Sequence, residues 1–571
     1  MSTRKILVFT HMPEGATPET HLAAGPWCFA GREELFPGWE ERFLFAPEPL
    51  GASAAQERAK RHAWALTAHY LPLVGEHINR ERGVELPAVF WETALMPPML
   101  AVSQMLAERW LRVEALVDHW GKQPLRAPLL PENCAFSFAS DYELIKRGFQ
   151  GYAYNHWLFS RLLEACWPSA WEADLLPPVR EHALPRAPGL RGRLRAWART
   201  IAYAPPFPHI KGFSPLQALQ FSLALLGNRG QDDCSASLPE LARQYALPSI
   251  AEVGLPLDPW PLFLAAMPRC IMRAALPERI RAASRRRVRV ASVAAIQDTE
   301  YRLRLAAWRA AGHKLVYIQH GGNYGMLRCA ATSPLEEYSQ HAFITWGWKE
   351  QSPVWGNFLP LPHAQTSSLY GRHREADARL LFVGNGMELF PHRLDSRPNP
   401  AQFLEYRRMK ARFLSALSPG ILTRTSYRPY FDVPAALSDW PWVQERFPML
   451  DRCTGSLDAA MLSCRLMVLD HHGTTLNLAF AADTPLVLYW DPRAWELCPE
   501  AEALLALLHG AGIWHPTPEA AAAAVELIWP DARGWWQSAK AQSARLRWCE
   551  RFALSAGAGF NAQWMRALRT L

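Results

Sequence analysis

Residues 314–325 read KLVYIQHGGNYG, an apolar run followed at once by a glycine-rich polar loop. The β-branched and aromatic residues of Lys314–Gln319 predict a buried strand, and the glycines allow the loop backbone to come close to a ligand. A helical pattern over Thr299–Ala311 precedes this strand, and another apolar run, His341–Thr345, follows it. Strands that alternate with helices of about 10–15 residues indicate parallel βαβ units.

The same alternation recurs on both sides of this stretch, with a long helical region over Gly51–Leu130 and a helical end over Trp535–Leu571. We therefore predict an α/β fold of two Rossmann-like lobes that face each other across a cleft. The N-terminal lobe, residues 1–370, carries a large helical insertion; residues 371–540 form the C-terminal lobe; residues 541–571 form a helix that packs back on the first lobe. The further predicted elements are strands at Lys5–Thr10, Val288–Val293, Arg379–Val383, Gly420–Thr425, Arg465–Asp470 and Pro485–Tyr489, a helix at Glu519–Ile528, and loops at Gln351–Arg374 and in the Pro- and Arg-rich stretch that opens residues 176–240.

The composition indicates a globular chain of two or three domains. Its 571 residues exceed one ordinary core, and 49% hydrophobic and 20% charged residues exclude general disorder. The N-terminus lacks the pattern of a signal peptide, no run of 18 apolar residues occurs, and the ten cysteines are scattered. These features favour a cytoplasmic protein with reduced thiols and no metal site or cofactor.

The net charge of +8 has its densest basic run at Arg279–Arg289. This run is either a solvated surface or a contact for anionic lipid, nucleotide phosphate or nucleic acid. No zinc finger, RNA-binding motif or helix-turn-helix accompanies it, so nucleic acid is not expected as a partner. Peripheral contact with the inner membrane stays open.

The glycine loop after Lys314–Gln319 is the first candidate site. Its glycines suit the binding of an oxyanion by backbone N–H groups, and a helix that starts near Tyr324 would add its positive end. His320 is a candidate acid or phosphate donor, unless the loop is only a tight turn. The candidate binding residues are Gln319, Gly321, Gly322, Asn323 and Tyr324.

The second candidate loop, DHHGTTLN, also lies between an apolar strand and a helix. Hydroxyls and backbone N–H groups at a helix N-terminus suit a phosphate, and Asn477 could hold a ribose or a base edge. A plain helix N-cap is the alternative, and the adjacent histidines have no third ligand at metal spacing. The candidate residues are Asp470, His471, His472, Gly473, Thr474, Thr475 and Asn477.

Two further pairs are weaker candidates. Arg424 and Arg428, at and just after the end of a predicted strand, could neutralise a phosphate or a sugar carboxylate, or form surface ion pairs. His11 and Glu14, in the loop after the first strand, have side chains that could take a proton from an acceptor hydroxyl, or be solvated loop residues.

Five stretches resemble, in order along nearly the whole chain, a family of transferases found in leptospiral and other bacterial O-antigen and surface-carbohydrate gene clusters. They are GPWCFAGREELFPGW (25–39), HYLPLVGEHINRERGVELPAVFWETALMPPML (69–100), YIQHGGNYG (317–325), HAFITWGW (341–348) and DHHGTTLNLAFAADTPLVLYWD (470–491). The QHGG and Thr-Thr loops are more distantly similar to capsule-type transferases that use CMP-activated 3-deoxy sugar acids.

The resemblance implies a GT-B glycosyltransferase with a nucleotide-sugar donor, preferably a CMP-linked nonulosonic acid or Kdo, and a saccharide, lipid-linked or protein acceptor. It implies phosphate binding by Thr474, Thr475 and the QHGG backbone. A CMP donor leaves as a monophosphate, so no metal is needed. The sequence departs from the family at Pro26 and Asn477, where acids are common, which puts the base and the ribose contact in doubt. A UDP-sugar transferase or epimerase and a non-catalytic scaffold remain alternatives.

Overall fold

The protein is a mixed α/β structure with parallel sheets, which confirms the α/β part of the predicted fold. Strands and longer helices are numbered separately in chain order. The computed structural model describes residues 4–182, 201–227, 233–349, 357–395, 398–431 and 436–571. The strands are β1 Lys5–Val8, β2 His21–Ala23, β3 Leu125–Leu129, β4 Ala135–Ser137, β5 Glu172–Leu175, β6 Arg180–His182, β7 Val288–Ala291, β8 Lys314–Ile318, β9 Ala342–Thr345, β10 Asn357–Pro360, β11 Asp377–Val383, β12 Thr425–Arg428, β13 Asp451–Arg452, β14 Cys464–Leu469, β15 Leu486–Tyr489 and β16 Trp514–His515. The helices of nine or more residues in this part of the chain are α1 Ser53–Arg82, α2 Ala88–Trp120, α3 Tyr152–Glu164, α4 Pro215–Gly227, α5 Thr299–Ala310, α6 Phe403–Ser415, α7 Thr474–Ala482, α8 Pro499–Gly510, α9 Pro518–Ile528, α10 Ala539–Phe552 and α11 Phe560–Thr570.

Three parallel sheets organise these elements. The first has the strand order β2-β1-β3-β5, the second β10-β9-β8-β7 and the third β13-β12-β11-β14-β15-β16, and β4 pairs with β6 alone. The prediction of two lobes with boundaries near 370 and 540 stays a prediction, since residues 1–370 contribute two of the larger sheets rather than one.

The first sheet corrects the predicted helical region Gly51–Leu130. Helix α1 ends at Gly83, whose φ of 61° is the left-handed conformation that glycine adopts readily, and α2 begins after Pro87. Residues 125–129 then form β3, in which buried and more exposed positions alternate and which pairs with β1. The apolar positions of this short run fit both the helical and the strand period, so the sequence pattern alone did not identify it as a strand.

The second sheet contains the strand of the glycine loop. Strands β7 to β10 pair in parallel, and every residue of β8 and β9 is buried. The predicted loop Gln351–Arg374 is wrong in its described part, which forms β10 and a short helix, Ala364–Leu369. Helix α11 packs on this sheet through Trp564, which shares a buried cluster with Val290 and Ile344.

The third sheet has its topological switch between β11 and β14. Strands β12 and β13 lie on one side of β11, and β14, β15 and β16 lie on the other. Loops that leave the carboxyl ends of β11 and β14 therefore border the crevice where ligands of such sheets bind. The predicted strand Gly420–Thr425 is wrong: Ser418 and Pro419 start a short helix, Pro419–Leu422, and the strand runs over Thr425–Arg428.

The basic run Arg279–Arg289 is mainly a loop that leads into β7. Arg279 pairs with Glu85 at 3.2 Å, and the guanidinium of Arg289 lies 4.2 Å from the ring centre of Trp308. The predicted excursion over 176–240 lies in part outside the described residues, at 183–200 and 228–232. Among the helices that the structure describes, none combines the length and the apolar character needed to cross a membrane.

Candidate functional site

The glycine loop and the DHHGTT loop, 150 residues apart in sequence, lie in direct contact. The backbone N–H of Gly322 donates to Thr474 Oγ1 at 2.9 Å. A Cβ atom on Gly322 would lie 2.3 Å from both the carbonyl carbon of Gly473 and the backbone nitrogen of Thr474. Gly473 itself has a φ of 137°, which an L side chain rarely adopts. Only glycine therefore permits this approach of two backbones.

Two side-chain bonds hold the loops in register. The Asn477 amide donates to the carbonyl of Gly322 at 3.4 Å and accepts from the Trp548 indole at 2.9 Å. His472 Nδ1 and Asn323 Oδ1 lie 3.2 Å apart. Asn477 is fully buried, so the predicted ribose contact does not fit the structure. Its role is to tie α7 to the glycine loop and to α10.

A cavity of about 340 Å³ opens where these loops meet the loop that follows β11. Four of the predicted binding residues of the glycine loop and Thr474 contribute to its wall, together with His320. The wall consists of His320, Gly321, Gly322, Asn323, Tyr324, Leu327, Ala330, Thr332, Ser333, Tyr338, Asn385, Gly386, Glu388, Arg393, Asp395, Pro398, Tyr430 and Thr474. Because Asn385 and Thr474 follow β11 and β14, this first cavity lies at the switch point of the third sheet.

His320 is backed by a carboxylate that the sequence did not reveal. Its Nδ1 lies 3.4 Å from Glu337 Oε1 and 2.9 Å from the Tyr324 hydroxyl, and that hydroxyl donates to Glu337 Oε2 at 2.7 Å. Burial and the neighbouring Glu337 raise the pKa of Tyr324 well above its usual range, so the phenol keeps its proton. A carboxylate and a phenol in these positions fix the orientation of the imidazole.

The wall opposite the glycine loop carries one cation among several carboxyl groups. Burial disfavours the charged guanidinium of Arg393, but Glu336 and Asp395 outweigh it and raise its pKa. Burial also raises the pKa of Glu336 to about 8, an increase that Arg393 opposes. Asp395 accepts from the backbone N–H groups of Ala331 and Thr332 at 3.0 Å, which fixes this wall to the segment after the glycine loop.

Gln319 positions the glycine loop from below. It is buried, its amide donates to the carbonyl of Gly321 at 2.7 Å, and its oxygen accepts from the Trp348 indole at 2.8 Å. No helix starts at Tyr324, so the predicted helix end at this loop is wrong. The helix N-terminus at the cavity is instead that of α7, which begins at Thr474.

Asp470 belongs to a buried polar network rather than to the wall of the first cavity. It accepts from the Tyr406 hydroxyl at 2.8 Å and lies 3.8 Å from Lys410 Nζ. Lys410 also pairs with Asp439 at 2.7 Å. The Tyr406 hydroxyl accepts from the backbone N–H of Asn385 at 2.8 Å, which links the network to the cavity.

The remaining predicted residues are not brought to the first cavity. His11 and Glu14 are exposed, and the His11 ring stacks on Tyr152 with centroids 3.8 Å apart. Arg424 is exposed and precedes β12, so it lies at the opposite edge of the sheet from the site. His471 and Thr475 lie near Thr474 in sequence but do not line the cavity. Arg428, at the carboxyl end of β12, donates to the carbonyl of Gly455 at 2.8 Å.

Sequence reasoning missed several residues of this wall. Asn385 and Gly386 follow the predicted strand β11, so their position at a strand end was a usable signal. Glu337 contacts His320 from the π-helical turn Pro334–Tyr338, behind the wall, and Arg393 lies in an irregular segment of the wall itself. No spacing in the sequence links either of them to His320. No cluster of three or more His, Cys, Asp or Glu side chains suited to a metal occurs in the part of the chain that the structure describes.

Comparison with known families places this geometry in context. The sequence profile of the LIC12162 family transferases matches residues 5–568, which is nearly the entire chain. The chain belongs to the LIC12162 family of transferases. No curated protein sequence matches it. As a LIC12162 family transferase it is an enzyme that moves a chemical group from a donor to an acceptor, and the predicted transferase class is confirmed.

Proposed function

We propose that this LIC12162 family transferase is a glycosyltransferase of the GT-B type that uses a nucleotide-activated sugar to build a bacterial surface polysaccharide or glycoconjugate. The preferred donor is a CMP-linked nonulosonic acid (pseudaminic, legionaminic or sialic type) or Kdo. The observation that carries the proposal is the contact of the glycine loop with the N-terminus of α7 at the switch point, with His320 on the same cavity wall.

The cavity has groups that suit a sugar phosphate. The start of α7 at Thr474 provides N–H groups at the positive end of a helix, and Gly321 and Gly322, which have no side chains, line the same cavity. The Arg393 guanidinium supplies a positive charge on the opposite wall. Asn385 and Glu388, also on the wall, suit hydrogen bonds with sugar hydroxyls.

In the proposed reaction His320 is the general base. Its imidazole takes the proton of an acceptor hydroxyl as that oxygen forms a bond to the anomeric carbon of the donor sugar. The bond between the anomeric carbon and the phosphate oxygen breaks, and the nucleotide leaves as a monophosphate. Glu337, 3.4 Å from His320 Nδ1, stabilises the imidazolium that results.

The first test is a panel of CMP, UDP, GDP and ADP in a thermal-shift assay. A ligand at 100 times its dissociation constant stabilises the folded state by about 2.7 kcal/mol, so a selective ligand raises the melting temperature visibly. We expect CMP to give the largest shift. A UDP-selective shift would instead favour a UDP-sugar transferase or epimerase.

The second test separates binding from catalysis. His320→Ala is expected to keep the CMP-induced shift and to lose release of CMP from a CMP-sugar in the presence of acceptor. Tyr152→Phe, which alters a residue that stacks on the exposed His11, is the control and is expected to keep both. Nucleotide binding without any turnover in the unaltered protein would favour a non-catalytic scaffold, and no shift with any nucleotide would refute the proposal.

We further propose that the protein contacts the cytoplasmic face of the inner membrane through helix α4, where a lipid-linked acceptor would be presented. Leu216, Leu219 and Leu223 are 63%, 57% and 60% exposed on this helix. Residues 201–227 contain no Asp or Glu, and α11, which packs against α4, exposes Arg566 and Arg569. Exposed leucines beside cationic side chains suit an anionic bilayer.

Co-sedimentation with vesicles tests this contact. We expect binding to vesicles with phosphatidylglycerol, reduced by Leu219→Ser with Leu223→Ser, and little binding to neutral vesicles. Equal binding of the double variant and the unaltered protein would contradict the assignment to α4.

A further inference from the structure

A second cavity of about 310 Å³ borders the Asp470 network, because Asp470 and Tyr406 line it. The start of α6 forms one wall, through Gln402, Tyr406 and Met409. The segment that follows β15, from Tyr489 to Trp495, forms the other. Tyr406 connects the two cavities, because it lines the second and its hydroxyl accepts from the backbone N–H of Asn385, which lines the first.

Three buried polar groups on the wall of this second cavity have unused hydrogen-bonding capacity. The Tyr489 hydroxyl, the Trp490 indole N–H and Asp470 Oδ2 form no hydrogen bond within the described chain, although Lys410 lies 3.8 Å from Asp470 Oδ2. Tyr489 and Trp490 are each 1% exposed, and Asp470 is 2% exposed. Buried polar atoms are nearly always paired, so three of them on one cavity point to a ligand.

The second cavity suits a phosphate less well than the first, which has the N-terminus of α7 on its wall. Glu405, Asp470 and Asp491 line the second cavity, and Arg493 is the one basic residue on its wall. The Arg493 guanidinium is already bound to Asp491 at 3.0 Å. The excess of carboxylates repels an anion, while the walls of aromatic and aliphatic side chains suit a flat, neutral group.

The hydrogen-bonding character of the three unpartnered side chains indicates which flat ligand the second cavity suits. Burial, with Asp470 nearby, raises the pKa of Tyr489 well above its usual range, so its hydroxyl keeps its proton and can donate. The cavity therefore offers two donors, Tyr489 and Trp490, and one acceptor, Asp470. Cytosine and uracil each present two acceptors and one donor on their pairing edge. Guanine presents the opposite set.

We infer that the second cavity holds the pyrimidine base of the nucleotide donor, with Asp470, Tyr489 and Trp490 as its specificity-determining residues. This inference rests on the proposed function and deepens it. The phosphate and the sugar then occupy the first cavity, and the ribose passes beside Tyr406. Trp490 and Tyr489 donate to acceptors of the base, and Asp470 accepts from its donor.

The test is calorimetric titration of the full-length protein with cytidine, guanosine, CMP and ribose 5-phosphate. Tyr489→Phe removes one hydroxyl and keeps the shape of the cavity. We expect it to weaken cytidine and CMP binding by about 3- to 10-fold, the effect of one hydrogen bond. Tyr154→Phe is the matched control, since it removes another fully buried hydroxyl without a hydrogen-bond partner and lines neither cavity.

A second variant, Ala494→Phe, fills the second cavity from its wall. We expect it to abolish cytidine binding and to leave ribose 5-phosphate binding unchanged. The inference is overturned if CMP binds the unaltered protein, Tyr489→Phe and Ala494→Phe equally, or if guanosine binds more tightly than cytidine. If CMP does not bind at all, the proposed function fails, whereas cytidine binding that Ala494→Phe abolishes would still support a pyrimidine site here.

Discussion

Gly322→Ala tests the contact on which the candidate site depends. A Cβ at this position would lie 2.3 Å from the backbone of Gly473 and Thr474, whereas ordinary contacts of a Cβ begin at 3.4 Å. The loops must therefore separate by about 1 Å, because backbone atoms cannot rotate away as a side chain can. This movement would break the 2.9 Å hydrogen bond from Gly322 to Thr474.

The expected cost combines two terms. Overpacking of about 1–3 kcal/mol and a lost hydrogen bond of about 1 kcal/mol should lower the free energy of unfolding by about 2–4 kcal/mol. A displacement of about 1 Å at a reacting centre should also lower the transfer rate by about 100-fold. Gly321→Ala is the matched control, since its Cβ would meet no atom closer than 3.7 Å.

Urea unfolding and CMP release from a CMP-sugar measure the two effects on the same protein samples. We expect Gly321→Ala to resemble the unaltered protein in urea unfolding, which makes it the control for stability. If Gly322→Ala unfolds as Gly321→Ala does, the two loops do not touch as described.

Three further predictions follow from the buried charges around the site. In a CMP-release assay, Glu337→Gln should lower the turnover rate by about 10- to 100-fold, less than the 10²–10⁴-fold typical of a lost general base, and equal rates would deny Glu337 a role. The pKa of Glu336 is about 8 in the folded protein, against a usual value of 4.5, so folding favours its protonated form. The resulting stability is fully present below pH 4.5. As the pH rises from 4.5 through 8, the free energy of unfolding should fall by about 5 kcal/mol. Urea unfolding at pH 5 to 8.5 should show this loss in the unaltered protein and a flatter profile in Glu336→Gln, and parallel profiles would contradict it. Lys410→Met should destabilise the fold by about 3–5 kcal/mol in the same assay, because it leaves Asp439 and Asp470 without their cation, and a change below 1 kcal/mol would contradict this.

The sequence predicts three strands of the third sheet, β11, β14 and β15, and both loops that meet at the first cavity. Apolar runs such as Arg379–Val383 and Arg465–Asp470 are strands within one or two residues, because each is short, buried and followed by a polar loop. The choice of Gly321, Gly322 and Thr474 needed only the rule that ligands bind at the carboxyl ends of parallel strands.

The errors arise where local patterns are ambiguous or where partners are distant in sequence. The apolar spacing of residues 125–129 and 420–425 fits either a helix or a strand. Pairing with β1 makes residues 125–129 a strand, and the helix start at Ser418 and Pro419 turns the beginning of the second segment into a helix. Arg393 lines the cavity from an irregular segment, and Glu337 contacts His320 from the π-helical turn Pro334–Tyr338, so no hydrophobic period predicts either of them. Asn477 looked like a ligand contact because its two buried partners, Gly322 and Trp548, lie 155 and 71 residues away.

The bond from Trp548 to Asn477 has a consequence for synthesis of the chain. The ribosome makes the glycine loop first, α7 about 150 residues later, and the Trp548 indole that fixes Asn477 another 71 residues after Asn477. Domains generally fold in this order as they emerge, at about 5–20 residues per second. For several seconds after α7 emerges from the ribosome, the two loops therefore lack the hydrogen bond from Trp548 to Asn477. A nascent chain that is released before Trp548 is made would contain both loops but not the indole that fixes Asn477 between them.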